Sequence, residues 1–120
     1  MKGIKEKIMV VDDDRGILES FDVLLGDDYN VLFARNGYEA LEIFKKESPS
    51  LMFLDMRMPG IDGIEVLKRI KKESNDVKVV MITGMSDETI EEEARGLGVF
   101  DYLNKPVCVE DIVRIASGLN

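Results

Sequence analysis

The sequence predicts an α/β domain in which five parallel strands form one sheet and five helices cover both of its faces. Short apolar runs rich in β-branched residues alternate with turn residues and helical patterns five times along the chain. These runs are continuous rather than alternating, which is typical of strands buried on both sides. The 120 residues suit one domain with one core, so we expect a single domain over residues 1–120.

Five apolar runs define the predicted strands. They lie at about Lys7–Val11, Asn30–Ala34, Leu51–Leu54, Val77–Ile82 and Phe100–Leu103. Each run is followed by polar or turn-forming residues and then by a segment with helical spacing of its apolar residues. Strands joined by helices in this way pair in parallel through right-handed crossovers.

Capping and stop residues delimit the first three helices. The first spans about Arg15–Leu25, with its apolar residues on one stripe. Asn36 can cap the second helix with Glu39 three residues later, and Pro49 ends the helical pattern. Asp62 follows a Pro-Gly turn and is expected to cap the third helix.

The fourth and fifth helices follow the last two strands, and the fifth is short. The fourth begins at Ser86 and Asp87 with acidic residues in its first turn, which suits the helix dipole, and Gly96 and Gly98 end it. The fifth helix spans about Val109–Ala116. Every predicted strand is therefore followed by a helix.

Composition narrows the possible functions. The net charge of −8 disfavours direct binding to nucleic acid, because an acidic surface repels phosphate backbones. No apolar run is long enough to span a membrane, and the N-terminus does not resemble a secretory signal. Cys108, the single cysteine, cannot form an internal disulfide. We therefore expect a cytoplasmic protein without a membrane segment.

Polar residues that can carry chemistry follow four of the predicted strands. Asp12, Asp13 and Asp14 follow the first strand and Asp55 follows the third. Thr83 and Gly84 follow the fourth strand, and Lys105 and Pro106 come just after the fifth. In open parallel sheets the ligand site lies at the carboxyl ends of the strands, so these residues are expected to meet at one edge.

This set of side chains suits phosphoryl chemistry. Crowded carboxylates repel one another unless a cation is present, and Mg²⁺ (or Mn²⁺) prefers such oxygen ligands. The ammonium of Lys105 and the hydroxyl of Thr83 could stabilise a phosphoryl group, and Gly84 would let the backbone approach it. One carboxylate could act as the nucleophile. Asp14 is expected to face solvent as a helix cap.

Three interpretations fit this pattern. In the first, Asp55 accepts a phosphoryl group. In the second, the chain is a haloacid-dehalogenase-type phosphohydrolase with Asp12 as nucleophile, but Asp55 then has no role and 120 residues leave little room for cap elements. The third, a flavodoxin-like scaffold with a degenerate site, conflicts with the complete set of polar residues.

The sequence resembles the receiver domains of bacterial two-component response regulators over nearly its full length. The matching segments are IMVVDDD at 8–14, ARNGYEAL at 34–41, LMFLDMRMPGIDGIEVL at 51–67, VVMITG at 79–84 and GVFDYLNKPV at 98–107. The third segment is the most specific. The resemblance implies a flavodoxin-like doubly wound fold with strand order 2-1-3-4-5.

The resemblance also implies residue roles. Asp55 would accept the phosphoryl group from a phosphohistidine, while Asp12, Asp13, Asp55 and the backbone carbonyl of Arg57 would bind the metal. Lys105 and Thr83 would contact the phosphoryl group, and Tyr102 would swing inward as a switch. The peptide bond before Pro106 would be cis.

The resemblance further implies partners. They are a sensor histidine kinase or phosphotransfer protein and a downstream output domain or protein. A homodimer could form through the fourth helix, fifth strand and fifth helix. Such a chain is not a conventional enzyme, although it catalyses its own phosphotransfer and autodephosphorylation. Independently of the resemblance, a Tyr at position 102 is expected to be half-buried with its hydroxyl in water.

Overall fold

The computed structural model describes residues 5–85 and 87–119. Strands and helices alternate in the order β1 (Lys7–Val11), α1 (Arg15–Leu25), β2 (Asn30–Ala34), α2 (Gly37–Glu47), β3 (Leu51–Asp55), α3 (Gly63–Glu73), β4 (Lys78–Thr83), α4 (Glu88–Gly96), β5 (Asp101–Asn104) and α5 (Val109–Ser117). All four strand pairings are parallel and the order is β2-β1-β3-β4-β5. The predicted fold class and strand order are confirmed.

The central strands are buried on both faces, which explains their continuous apolar sequences. Successive side chains of β1 point to opposite sides of the sheet, so Met9 contributes to one apolar cluster and Val10 to the other. One cluster includes the inner faces of α2 and α3, and the other includes those of α1 and α5. Phe53 is fully buried and packs its ring against Phe21, with ring centroids 5.0 Å apart. The sheet is therefore a rigid base for residues at its edge.

The predicted caps hold the helices in place. The Asn36 side chain accepts a hydrogen bond from Glu39 N at 2.8 Å, and that of Asp62 accepts one from Glu65 N at 3.0 Å. The Glu39 carboxylate accepts from Arg35 N at 2.7 Å rather than from Asn36 N, so the capping box is displaced by one residue. Asp87 caps α4, while the start expected at Ser86 lies outside the described residues.

Three strand boundaries differ from the apolar runs. β3 extends to Asp55, β4 is displaced by one residue to end at Thr83, and β5 is displaced to end at Asn104. The reason is that backbone pairing, and not side-chain polarity, ends a strand. Asp55 pairs with Ile82 in the parallel register, and Thr83 pairs with Asn104. These polar residues therefore belong to the sheet itself.

A helix that spans a membrane must be both long and apolar. Within the described ranges, no helix combines the length and the apolar character needed to cross a bilayer.

Candidate functional site

The carboxyl ends of β1, β3, β4 and β5 bring the predicted polar residues together. Asp12, Asp55 and Thr83 are each buried, with 3–4% of their surface exposed. Burial of three polar side chains beside an apolar core is costly, so their position indicates a function rather than packing. Because Asp55 and Thr83 end paired strands, their backbones are held by the sheet.

Three carboxylates form the centre of the site. One oxygen each from Asp12, Asp13 and Asp55 lies within 4.8 Å of the other two. Asp13 is exposed, so the cluster opens to solvent on one side. A hard divalent cation binds oxygen ligands at such a site, and Mg²⁺ is satisfied by a few carboxylates with water completing its shell. The donor set therefore fits the metal that the sequence predicts.

Lys105 balances part of this negative charge. Its Nζ lies 3.4 Å from Asp12 Oδ2 and 3.4 Å from Asp55 Oδ1. The Lys105–Pro106 peptide bond is cis. The Lys105 side chain is 30% exposed, so it reaches the buried carboxylates from a position open to solvent.

Charge and burial shift the pKa values of two of these groups. Burial raises the pKa of Asp55, and the nearby charge of Asp12 raises it further, while Lys105 and the N–H of Arg57 partly offset both effects. Burial lowers the pKa of Lys105, but the charges of Asp55 and Asp12 outweigh burial and the net shift is upward. The site therefore favours the protonated, charged form of Lys105, while it disfavours the ionised form of Asp55.

Backbone groups orient the two buried carboxylates. Asp14 N donates to Asp12 Oδ1 at 2.9 Å, and Arg57 N lies 3.4 Å from Asp55 Oδ1. The exposed Asp14 carboxylate accepts from Gly16 N at 2.8 Å as the N-cap of α1. Asp14 is thus the solvent-facing cap that the sequence predicts.

The Thr83 hydroxyl points toward its own loop. Thr83 Oγ1 donates to the carbonyl of Met85 at 2.9 Å and accepts from Met85 N at 3.2 Å. Sequence reasoning missed this role of the Met85 backbone, since no residue type signals it. Gly84 is exposed, and a side-chain carbon built there would meet only Lys105 Cδ at 3.9 Å. Among the residues that the structure describes, none sterically requires glycine at position 84.

Tyr102 corrects one expectation. It is 7% exposed rather than half-buried, and its hydroxyl is buried without a hydrogen-bond partner among the described residues. Burial raises the pKa of Tyr102, and the neighbouring Thr83 hydroxyl partly offsets this. Because the Thr83 hydroxyl donates its hydrogen to the Met85 carbonyl, it does not donate that hydrogen to the tyrosine oxygen. The expectation of a water-exposed hydroxyl was wrong because α4 covers this end of β5.

A groove between α1 and α5 opens beside the carboxylates. It has a volume of about 520 Å³, and Asp12 and Lys105 form one end of it. Its walls are mostly apolar and include Ile17, Leu24 and Val107. Ile17 and Leu24 belong to the stripe of α1 that the sequence assigns to the core, so the pattern alone does not reveal a groove.

Comparisons with known proteins agree with this geometry. A family model described as "Response regulator receiver domain" matches residues 8–117. Sporulation initiation phosphotransferase F of Bacillus subtilis is 37% identical over 110 residues, which cover 91% of this chain and 89% of that protein. A probable transcriptional regulator, ycf27, of Porphyridium aerugineum is 43% identical over 119 residues, covering 96% of this chain but 48% of that protein.

Solved structures give the same result. A CheY-like receiver domain protein from Methanospirillum hungatei superposes with a TM-score of 0.91 at 28% identity, covering 96% of this chain and 93% of that one. A receiver domain protein from Clostridium thermocellum has a TM-score of 0.87 at 34% identity, covering 94% and 92%. The alternative of a haloacid-dehalogenase-type phosphohydrolase finds no support in these similarities.

Proposed function

The chain belongs to the response regulator receiver domain family, whose members are phosphorylation-dependent signalling switches, and on this premise we propose that Asp55 is its phosphoacceptor. Receiver domains are not conventional enzymes, since the group transferred ends on the protein itself. The observation that carries the proposal is the position of Lys105 Nζ, 3.4 Å from both Asp12 and Asp55 beside the three-carboxylate cluster. Asp55 is the buried member of this cluster that ends a central strand.

In the proposed reaction, a carboxylate oxygen of Asp55 attacks the phosphorus of a phosphohistidine. A P–O bond forms as the P–N bond breaks, and the imidazole leaves with the bonding electron pair and takes up a proton from solvent. Lys105 contacts Asp55 before transfer and is close enough to contact a phosphoryl oxygen afterwards. In autodephosphorylation, the oxygen of a water molecule attacks the same phosphorus as the P–O bond to Asp55 breaks. Inorganic phosphate and a proton are released to solvent, and Asp55 is again a free carboxylate.

The carboxylates of Asp12, Asp13 and Asp55 and the carbonyl of Arg57 are the proposed ligands of a Mg²⁺ or Mn²⁺ ion. When bound, the ion neutralises charge on the carboxylates and on the phosphoryl oxygens. Burial raises the pKa of Asp55 and the charge of Asp12 raises it further, so a bound cation would favour the ionised carboxylate that the proposed reaction needs. Asp12 contributes through both its own charge and its contact with Lys105.

Thr83 connects the proposed phosphorylation to the surface. To donate to a phosphoryl oxygen, the Thr83 hydroxyl must release the carbonyl of Met85, which leads into α4. Tyr102 lies beside Thr83, and its hydroxyl has no hydrogen-bond partner in the described part of the chain, so a change in Thr83 alters the environment of Tyr102 as well. Phosphorylation would in this way shift the population of states at the face formed by α4, β5 and α5.

The proposed partners follow from these surfaces. The groove between α1 and α5 ends at Asp12 and Lys105, which makes it a suitable seat for the protein carrying the phosphohistidine. The face formed by α4, β5 and α5 is the proposed contact for an output domain or protein and for a homodimer. Direct nucleic-acid binding is not part of the proposal, given the net charge of −8. The proposed location is the cytoplasm, where ATP supplies a sensor kinase.

The length of the chain relative to its relatives matters for what the receiver domain controls. It spans about nine tenths of the sporulation phosphotransferase but about half the length of the ycf27 regulators that it matches. We treat residues 1–120 as a single receiver domain. The process that this domain controls would be set by the output domain or protein that it contacts.

Acetyl phosphate provides a direct test. The protein is incubated with Mg²⁺ and acetyl phosphate, and its intact mass is measured over time. The expected result is the gain of one phosphoryl group, absent without Mg²⁺ and absent in Asp55→Asn. Asp14→Asn is the matched control, since Asn is an equally good N-cap and leaves phosphorylation unchanged. A mass gain that survives in Asp55→Asn would rule out the assignment.

A further inference from the structure

The loop between β3 and α3, residues 56–62, is seated on the first turn of α2. We infer that Tyr38 is a positioning residue that holds this loop, and with it the Arg57 carbonyl, in place for the metal ion. This inference rests on the proposed function, in which that carbonyl is one of the metal ligands.

Hydrogen bonds hold the loop only at its ends. Met56 N donates to the carbonyl of Ile82 at 2.8 Å, and Gly63 N donates to the carbonyl of Met56 at 3.0 Å. Arg57 N lies 3.4 Å from Asp55 Oδ1, a weak contact. Within the described ranges, residues 58–61 make no hydrogen bond. The middle of the loop therefore depends on packing for its position.

The packing partner is the start of α2. A side-chain carbon built on Gly37 would lie 2.5 Å from Ile61 Cγ1, so Ile61 rests directly on the backbone of α2. A side-chain carbon built on Gly60 would lie 3.2 Å from Tyr38 Cε2 and 3.7 Å from Cδ2. Gly60 also has a φ of +88°, which disfavours other residues there. Tyr38 and Gly37 thus contact two consecutive residues of the loop.

The exposure of Tyr38 separates its role from that of a core residue. It is 56% exposed, whereas Ala40 on the same helix is completely buried. A large aromatic side chain at such a position adds little to the apolar core. Its ring borders an open hollow lined also by Glu42 and Pro59. Gly60 lines the same hollow, so loss of the ring would give the loop space to move into it.

Loop position should then determine metal affinity. A displacement of Gly60 moves Arg57, three residues away, relative to the carboxylate of Asp55, whose backbone ends β3. Groups that orient metal ligands contribute about tenfold or more to metal affinity. Tyr38→Ala is therefore expected to weaken Mg²⁺ binding about tenfold, at the lower end of that range. The contact is made by ring carbons, so Tyr38→Phe should bind Mg²⁺ as the unchanged protein does.

The experiment measures Mg²⁺ binding by isothermal titration calorimetry in the full chain, without any phosphoryl donor. Tyr38→Ala and Tyr38→Phe are compared with Lys46→Ala, a truncation of an exposed residue in the last turn of α2. Thermal unfolding without Mg²⁺ checks that each variant is folded. We expect a larger Kd for Mg²⁺ in Tyr38→Ala and in neither of the other variants. The unfolding temperatures of all three variants should be close to that of the unchanged protein.

Phosphorylation kinetics supply a second readout. In Tyr38→Ala the Mg²⁺ concentration for half-maximal phosphorylation should rise by the same factor as the Kd, with the maximal rate preserved. Equal Mg²⁺ affinity in Tyr38→Ala and the unchanged protein would overturn the inference, as would an equal loss in Tyr38→Phe or Lys46→Ala. Failure of the proposed function looks different, because the unchanged protein would then gain no mass from acetyl phosphate.

Discussion

Replacing Asp55 by Asn should make the protein more stable at neutral pH in the absence of metal. Asn has nearly the same shape as Asp, so the change removes a charge without opening a cavity. The carboxylate of Asp55 is 4% exposed and its pKa is raised, first by burial and then by Asp12. A raised pKa means that ionisation is less favourable in the folded state than in the unfolded chain.

The magnitude follows from the distances at the site. With an effective dielectric constant of about 20, Lys105 at 3.4 Å attracts Asp55 by about 5 kcal/mol, and Asp12 within 4.8 Å repels it by at least about 3.5 kcal/mol. The two interactions nearly cancel, and taking a carboxylate out of water costs several kcal/mol. We therefore expect Asp55→Asn to increase the free energy of unfolding by about 1–3 kcal/mol, or about 4 °C in Tm for each kcal/mol.

Urea unfolding with a metal chelator at several pH values provides the assay. Because the folded state holds the Asp55 proton more tightly, the stability of the unchanged protein falls as pH rises from the ordinary value of 3.8 through the raised pKa. Asp55→Asn lacks this loss. The difference in free energy of unfolding between the two proteins should thus reach its full size above the raised pKa of Asp55 and vanish below pH 3.8.

Asp62→Asn serves as the control for this measurement. Asp62 is an exposed N-cap, and Asn caps a helix equally well, so its stability should change by less than about 0.5 kcal/mol. The reasoning is refuted if Asp55→Asn is no more stable than the unchanged protein at pH 7. It is also refuted if the difference between the two proteins does not depend on pH.

Three other substitutions test separate parts of the structure. Lys105→Met should destabilise the metal-free protein by about 2 kcal/mol, because two buried carboxylates lose their cation, and should slow phosphorylation by acetyl phosphate; unchanged urea unfolding would contradict this. Gly63→Ala should cost about 2 kcal/mol in urea unfolding, because its methyl group would lie 2.9 Å from both the Asp55 carbonyl oxygen and Met56 Cα. Tyr102→Phe should stabilise the protein by about 1 kcal/mol in thermal unfolding, since it removes a buried hydroxyl that has no hydrogen-bond partner among residues 5–85 and 87–119; a lower Tm would contradict this.

The element order was predictable because local patterns control it. Strands buried on both faces must be apolar throughout, and helices must present one apolar stripe, so both are visible in the sequence. The caps at Asn36, Asp62 and Asp87 were predictable for the same reason, since a capping side chain bonds to residues two or three positions away. The ends of β3, β4 and β5 were not, because they depend on pairing with another strand.

The composition of the candidate site was also predictable, because parallel strands direct their carboxyl ends to one edge. The sequence places Asp12, Asp13, Asp55, Thr83 and Lys105 there, and the structure brings the carboxylates and the ammonium into contact. What the residue types did not reveal is the direction in which each group points. The Thr83 hydroxyl bonds to the Met85 backbone, and only the folded loop creates that partner.

The sequence of this protein therefore determines which strands and helices form and where the helices are capped, because both depend on neighbours close in the chain. It also determines which polar residues follow the strands, and so which of them lie at the edge of the sheet formed by the carboxyl ends of the strands. The burial of the Tyr102 hydroxyl, the seat of the 56–62 loop on Gly37 and Tyr38, and the groove between α1 and α5 were decided by the tertiary structure. Each of them joins segments far apart in the chain, and such contacts depend on how side chains pack together rather than on any local pattern.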